Sequence, residues 1–135
     1  MIDDAMYSYL STYAGLVALV SKRIYPIVMP LNCILPAVSY QRISTERVHA
    51  FSSDTALTAA TFQVSSWAKS DTVRKGYSHT QLISEQVRKA LQNYSGSMGS
   101  MTVNAVLLIG ELTDYDTSTD TYAIHQDFEV WYQEV

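Results

Sequence analysis

Cysteine is nearly absent: Cys33 stands alone among 135 residues, which leaves no disulfide framework and no cysteine-based zinc site within one chain. Proline is confined to Pro26, Pro30 and Pro36, so regular helix is excluded from that stretch alone. No apolar run approaches the roughly 20 residues of a bilayer-spanning helix; the longest strongly apolar stretch covers residues 14–20. Asp3 and Asp4 occupy the place where a signal peptide carries basic residues. The expectation is a protein without a membrane partner, either cytosolic or assembled into a particle in the cytoplasm. The most telling absence is that of cations, since no Lys or Arg follows Lys89.

At 47% hydrophobic and 16% charged, the chain has the composition of one globular domain, residues 1–135, with neither the low hydrophobicity nor the high net charge of a disordered segment. Its thirteen acids are unevenly placed: Glu111, Asp114, Asp116, Asp120, Asp127, Glu129 and Glu134 all follow the last cation. This asymmetry fits a two-toned surface that pairs head to tail with a neighbour, or an acidic face that DNA slides past. It equally fits a hairpin kept solvated by its acids. Groove-reading of nucleic acid is excluded in practice, because that affinity comes mainly from cations on phosphates.

Periodicity gives the elements. Met6, Tyr9, Leu10, Tyr13, Val17 and Val20 step by three and four, predicting a helix from Asp3 or Asp4 to about Ser21, with a break near Ser11 and Thr12. The proline stretch reads as an extended connector. Residues 37–43 and 61–67 alternate as strands, bridged by a polar loop over 44–58 that a docking event would order. A helix opens at Ser70 or Asp71 and runs through Tyr94 to a stop at Gly96, with Gly76 costing it about 1 kcal/mol relative to alanine. Residues 102–109 and 122–132 complete the strands. The predicted fold class is α+β: a four-stranded, largely antiparallel sheet with two helices on one face, in the order helix, strand, strand, helix, strand, strand. Trp131 falls on the polar side of the last strand, as an interface anchor or as a locally packed residue.

Chemistry is sparsely signalled. His49, His79 and His125 share no metal-ligand spacing, and no nucleotide, hydrolase or metalloprotease motif occurs. Asp114, Asp116, Ser118 and Asp120 imitate the first oxygen donors of a calcium loop, but Thr119 stands where its glycine belongs and His125 where its bidentate glutamate belongs. An Asx-rich hairpin turn is the better reading. No catalytic residue, metal or cofactor is predicted, and the chain is not expected to be an enzyme.

Five strings occur in an order that resembles the tail completion, or tail terminator, family of long-tailed bacteriophages: RIYP at 23–26, LPAVSYQRISTER at 35–47, FQVSSWA at 62–68, VRKALQNYSG at 87–96 and LLIGELTDYDTSTDTYAIHQDFEVWY at 107–132. The resemblance implies a structural subunit, assembled in the bacterial host cytoplasm, that forms a hexameric ring at the head-proximal end of the tail. Its partners would be further copies of itself, the tail tube protein and the head connector, with DNA passing through unread. The alternative is a head-side adaptor or stopper of the same connector. Arg42, Glu46, Arg47, Phe51, Asp114, Asp116, Asp120 and Trp131 are the candidate interface residues.

Overall fold

In the computed structural model, which describes residues 2–30, 34–49, 54–70, 75–99 and 101–133, six strands form one mixed sheet and three helices pack against it. The expected four-stranded sheet with two helices is therefore incorrect. Helix α1 (Ile2–Thr12) and α2 (Ala14–Val20) are separate, joined at an extended Tyr13. The hydroxyls of Ser11 and Thr12 fold back onto the Ser8 carbonyl at 3.2 and 2.8 Å, a competition with the helical ladder that suits the last turn of a helix. Ile2, Met6 and Leu10 form the buried stripe of α1, continued by Leu16 and Val20 of α2.

Strand β1 (Ile24–Pro26) lies inside the stretch read as a connector and pairs in parallel with β2 (Ala37–His49). Proline at its last residue is tolerated because β1 is the sheet edge. Strand β3 (Asp54–Ala68) pairs antiparallel with β2 far beyond the expected boundaries. Thr45 opposes Ala60, Glu46 opposes Ala59 and Arg47 opposes Thr58, so the predicted loop is ordered ladder over its described residues. The backbone hydrogen bonds of a hairpin need no apolar face, and that face was the only signal the polarity of 44–58 withheld.

Helix α3 (Gly76–Leu91) starts later than its apolar period suggests, where the Gly76 N–H donates to Ser70 Oγ at 2.8 Å, and it stops before Asn93, which sits at φ 62°. The SGSMGS segment is more than a linker. Its residues form β4 (Gly96–Met98), which folds back on the start of β5 (Met101–Asp116), and β6 (Thr121–Gln133) lies between β5 and β3. The strand order is β1-β2-β3-β6-β5-β4, with every pair after the first antiparallel.

One core joins one face of this sheet to all three helices. Phe62 of β3 is in register with Phe128 of β6, both fully buried, flanked by Val64, Val106, Val130 and Tyr132 and covered by Met6, Leu10, Ile83, Val87 and Leu91. Burying each such side chain contributes about 1.5–3 kcal/mol. A polar pocket interrupts the core under α3, where Gln126 Nε2 donates to the Ser84 carbonyl at 3.2 Å and to Glu111 Oε1 at 3.1 Å. Ser66 Oγ is buried nearby in the sheet and finds no hydrogen-bond partner among the described residues.

Candidate assembly surfaces

Alternation along β6 divides the sheet into two faces. Gln126, Phe128, Val130 and Tyr132 point into the core, while His125, Asp127, Glu129 and Trp131 point to the face that no helix covers. On this open face Trp131 is half-buried and lies across from Ala59 of β3 and Ala105 of β5, two small residues. Its Nε1 donates to Glu129 Oε1 at 2.7 Å. A second indole, Trp67, donates to Ser39 Oγ at 2.9 Å and meets the edge of the His125 ring at 5.4 Å. His125 Nδ1 and Ser65 Oγ are 2.6 Å apart. These contacts tie both half-buried indoles of the open face to neighbouring side chains.

The acidic hairpin stands at one end. Asp116 Oδ1 accepts from the Ser118 N–H at 3.0 Å and from the Ser118 hydroxyl at 2.7 Å, bonds that hold its carboxyl below the usual carboxylate range. Asp120 Oδ1 accepts from the Tyr115 hydroxyl at 2.7 Å, which raises the Tyr115 phenol, and Asp114 Oδ1 accepts from the Tyr115 N–H at 2.8 Å. Asp120 adopts φ 52°, the left-handed conformation that Asp tolerates in a hairpin. The three carboxylates thus each face their own hairpin, and no group of three His, Cys, Asp or Glu suited to a metal occurs among the described residues.

The remaining candidates are dispersed. Arg42 reaches from β2 to Asp3 of α1 at 3.2 Å, tying the first helix to the sheet; such a half-exposed pair contributes about 0–1 kcal/mol. Glu46 and Arg47 are exposed on the β2–β3 arm, and Phe51 lies outside the described residues. The structure therefore gathers Asp114, Asp116 and Asp120 in one turn, places Trp131 on the open face and sets Arg42, Glu46 and Arg47 along β2.

Sequence reasoning missed the exposed apolar residues at the two sheet edges. Ile27 sits at φ 62°, an outlier for a β-branched side chain, fixed by its N–H to the Tyr40 carbonyl at 2.7 Å. This turn leaves both Ile27 and Val28 exposed to solvent. Beside it a groove between α1 and β1 is lined by Tyr7, Lys22, Tyr25, Pro26 and Tyr40. At the far edge, Leu107, Ile109, Leu112 and Tyr115 of β5 are exposed as well. The signal was present as apolar residues between Pro26 and Pro30, and as the run LLIGEL, which reads as buried strand when its pairing is unknown.

The fold itself has a solved counterpart. A chain in the solved virion of a native gene transfer agent (GTA) particle superposes with a TM-score of 0.80 at 17% identity, covering 98% of this chain and 94% of that one, so the two share a fold. No curated protein sequence matches the chain. The family is decided by sequence: residues 4–133 match the model of tail completion protein gp17, and the chain belongs to that family of structural bacteriophage tail proteins.

Proposed function

We propose that the protein closes into a hexameric ring on the head-proximal end of the tail tube, ends tube growth and presents the docking surface for the head connector. The observation that carries this reading is the family match across residues 4–133, nearly the whole described chain. A tube that grows by identical contacts recreates its acceptor surface with each ring, so a stop requires a subunit that binds that surface and offers a different one above. Binding energy alone accomplishes this, and the reading assigns the protein no catalytic residue and no cofactor. The candidate contacts are Arg42, Glu46 and Arg47 on the β2–β3 arm, Trp131 on the open face, and Phe51, which lies outside the described residues. The turn bearing Asp116 and Asp120 is assigned to the lumen or its rim, where negative charge keeps passing DNA from sticking.

Deletion of the gene tests this in an infected or induced host. DNA-filled heads and separate tails are expected, many tails over-long, and purified protein added to those tails restores joining without nucleotide or metal. Normal-length tails already attached to heads in the deletion would refute the assignment.

A further inference from the structure

The sheet ends in two open edges. Beyond Val106, whose carbonyl accepts from the Asn93 N–H at 2.9 Å, the backbone of β5 is paired with β6 alone among the described residues, because β4 reaches only Met101 to Val103. At the opposite edge β1 covers three residues of β2, and past Tyr40 that strand pairs only with β3. Unpaired edges of this kind are templates for another strand, and proteins that avoid association keep them short, charged or covered. Here they are apolar. Of the exposed large hydrophobic side chains among the described residues, Ile27 (66%), Val28 (73%) and Ile43 lie on or beside the β1–β2 edge, with Tyr7 of α1 against Tyr40, and Leu107, Ile109, Leu112 (65%) and Tyr115 lie on β5.

Resting on the ring reading above, we propose that these edges are the two halves of one contact between copies of this chain, the outer edge of β5 in one subunit adding to the β1–β2 edge of the next. Direction supports the pairing. Strands β2, β3, β6 and β5 alternate, so β5 runs opposite to β2. A neighbour brought round by rotation about an axis along the strands therefore presents β2 antiparallel to β5, the pairing that hydrogen-bonds most directly. Charge supports it too. The β5 edge carries Glu111, Asp114 and Asp116 and no cation, whereas Lys22, Arg23, Arg42 and Arg47 lie on or beside the other edge together with Asp3, Asp4 and Glu46, Arg42 being engaged by Asp3 and Arg23 by the Pro36 carbonyl. Two β5 edges facing each other would instead oppose acid to acid, which disfavours a two-fold contact. Each strand has two register shifts, β2 at Ile43 and Val48 and β5 at Asn104 and Ile109, but Gly110 to Asp116 runs in unbroken register. The groove along Tyr7, Tyr25 and Pro26 offers a seat for a bulky side chain of the arriving edge.

A mixing experiment read by native mass spectrometry decides the matter. One variant carries Ile109→Lys with Leu112→Lys and the other Ile27→Lys with Val28→Lys, all at exposed positions, and circular dichroism confirms that each is folded. Each variant alone should be monomeric where the wild type forms rings. An equimolar mixture should stop at the dimer, since one intact edge of each kind remains. If either variant alone forms the wild-type ring, or if the mixture stays monomeric, the edge pairing is wrong while the ring reading stands. A wild-type chain that never oligomerises, alone or with tail tube protein, refutes the ring reading and this contact with it. Should one variant fail to fold, Leu107→Lys and Ile43→Lys serve as the corresponding pair and are judged by the same outcomes.

Discussion

Replacing Gly76 by alanine sets two effects against each other, and the structure decides the sign. Alanine is favoured over glycine within a helix by about 1 kcal/mol, less at a first helical position such as this. A Cβ at residue 76, however, would lie 2.5 Å from Tyr122 Cδ2, 2.8 Å from Tyr122 Cε2 and 2.9 Å from the Ser70 backbone nitrogen. The ring has little room to retreat, because Tyr115 stacks against it with centroids 4.6 Å apart and Tyr77 flanks it at 6.3 Å. The Ser70 nitrogen is backbone, and Ser70 itself holds the helix start through its hydroxyl. Overpacking of this sort costs about 1–3 kcal/mol, leaving Gly76→Ala net destabilising by about 1–2 kcal/mol. Thermal unfolding followed by circular dichroism should show a midpoint lower by roughly 3–8 °C. The loss should shrink in a Tyr122→Leu background, where two of the three close approaches disappear. A Gly76→Ala protein as stable as the wild type would refute the close contact between α3 and the acidic hairpin.

Ser66→Ala should stabilise the fold by about 1 kcal/mol, since a buried hydroxyl without a partner costs about 1–3 kcal/mol; urea denaturation measures it, and a loss of stability would reveal a bond to Oγ. Burial pushes the Tyr9 and Tyr40 phenols up to about 12, with Tyr94 and Tyr13 adding to the first and Tyr7, Asp3 and Asp4 to the second. A folded pKa above the unfolded value of about 10 means that the fold holds these protons more tightly. Their contribution is complete below about pH 10 and is lost as pH rises toward 12. Ultraviolet titration should show the Tyr9 and Tyr40 phenols ionising late, with Tyr115, bonded to Asp120, also delayed, and a single transition near 10 for all tyrosines would contradict this.

The elements legible in the sequence were those whose side chains report their backbone. β6 alternates cleanly because one face is core and the other open, and the break between α1 and α2 was marked by Ser11 and Thr12. The rest escaped for identifiable reasons. β1 and β4 are three residues each, too short for any period to register. The β2–β3 arm pairs through its backbone with no apolar stripe, and α3 begins at Gly76, whose N–H is taken by the Ser70 hydroxyl and which packs closely on Tyr122, distant in sequence. At the assembly surfaces, Trp131 and the acidic turn were readable as singular residues, whereas Leu107, Ile109 and Leu112 looked like core until the neighbouring strand proved to be missing.

A core confined to one side of the sheet also has a consequence for descent. Along β3 and β6 one residue faces the core and the next the open face, so substitutions at His125, Asp127, Glu129 or Trp131 can alter that face while Gln126, Phe128 and Val130 keep the domain intact. A shared fold at a TM-score of 0.80 with 17% identity accords with that division of roles between the two faces.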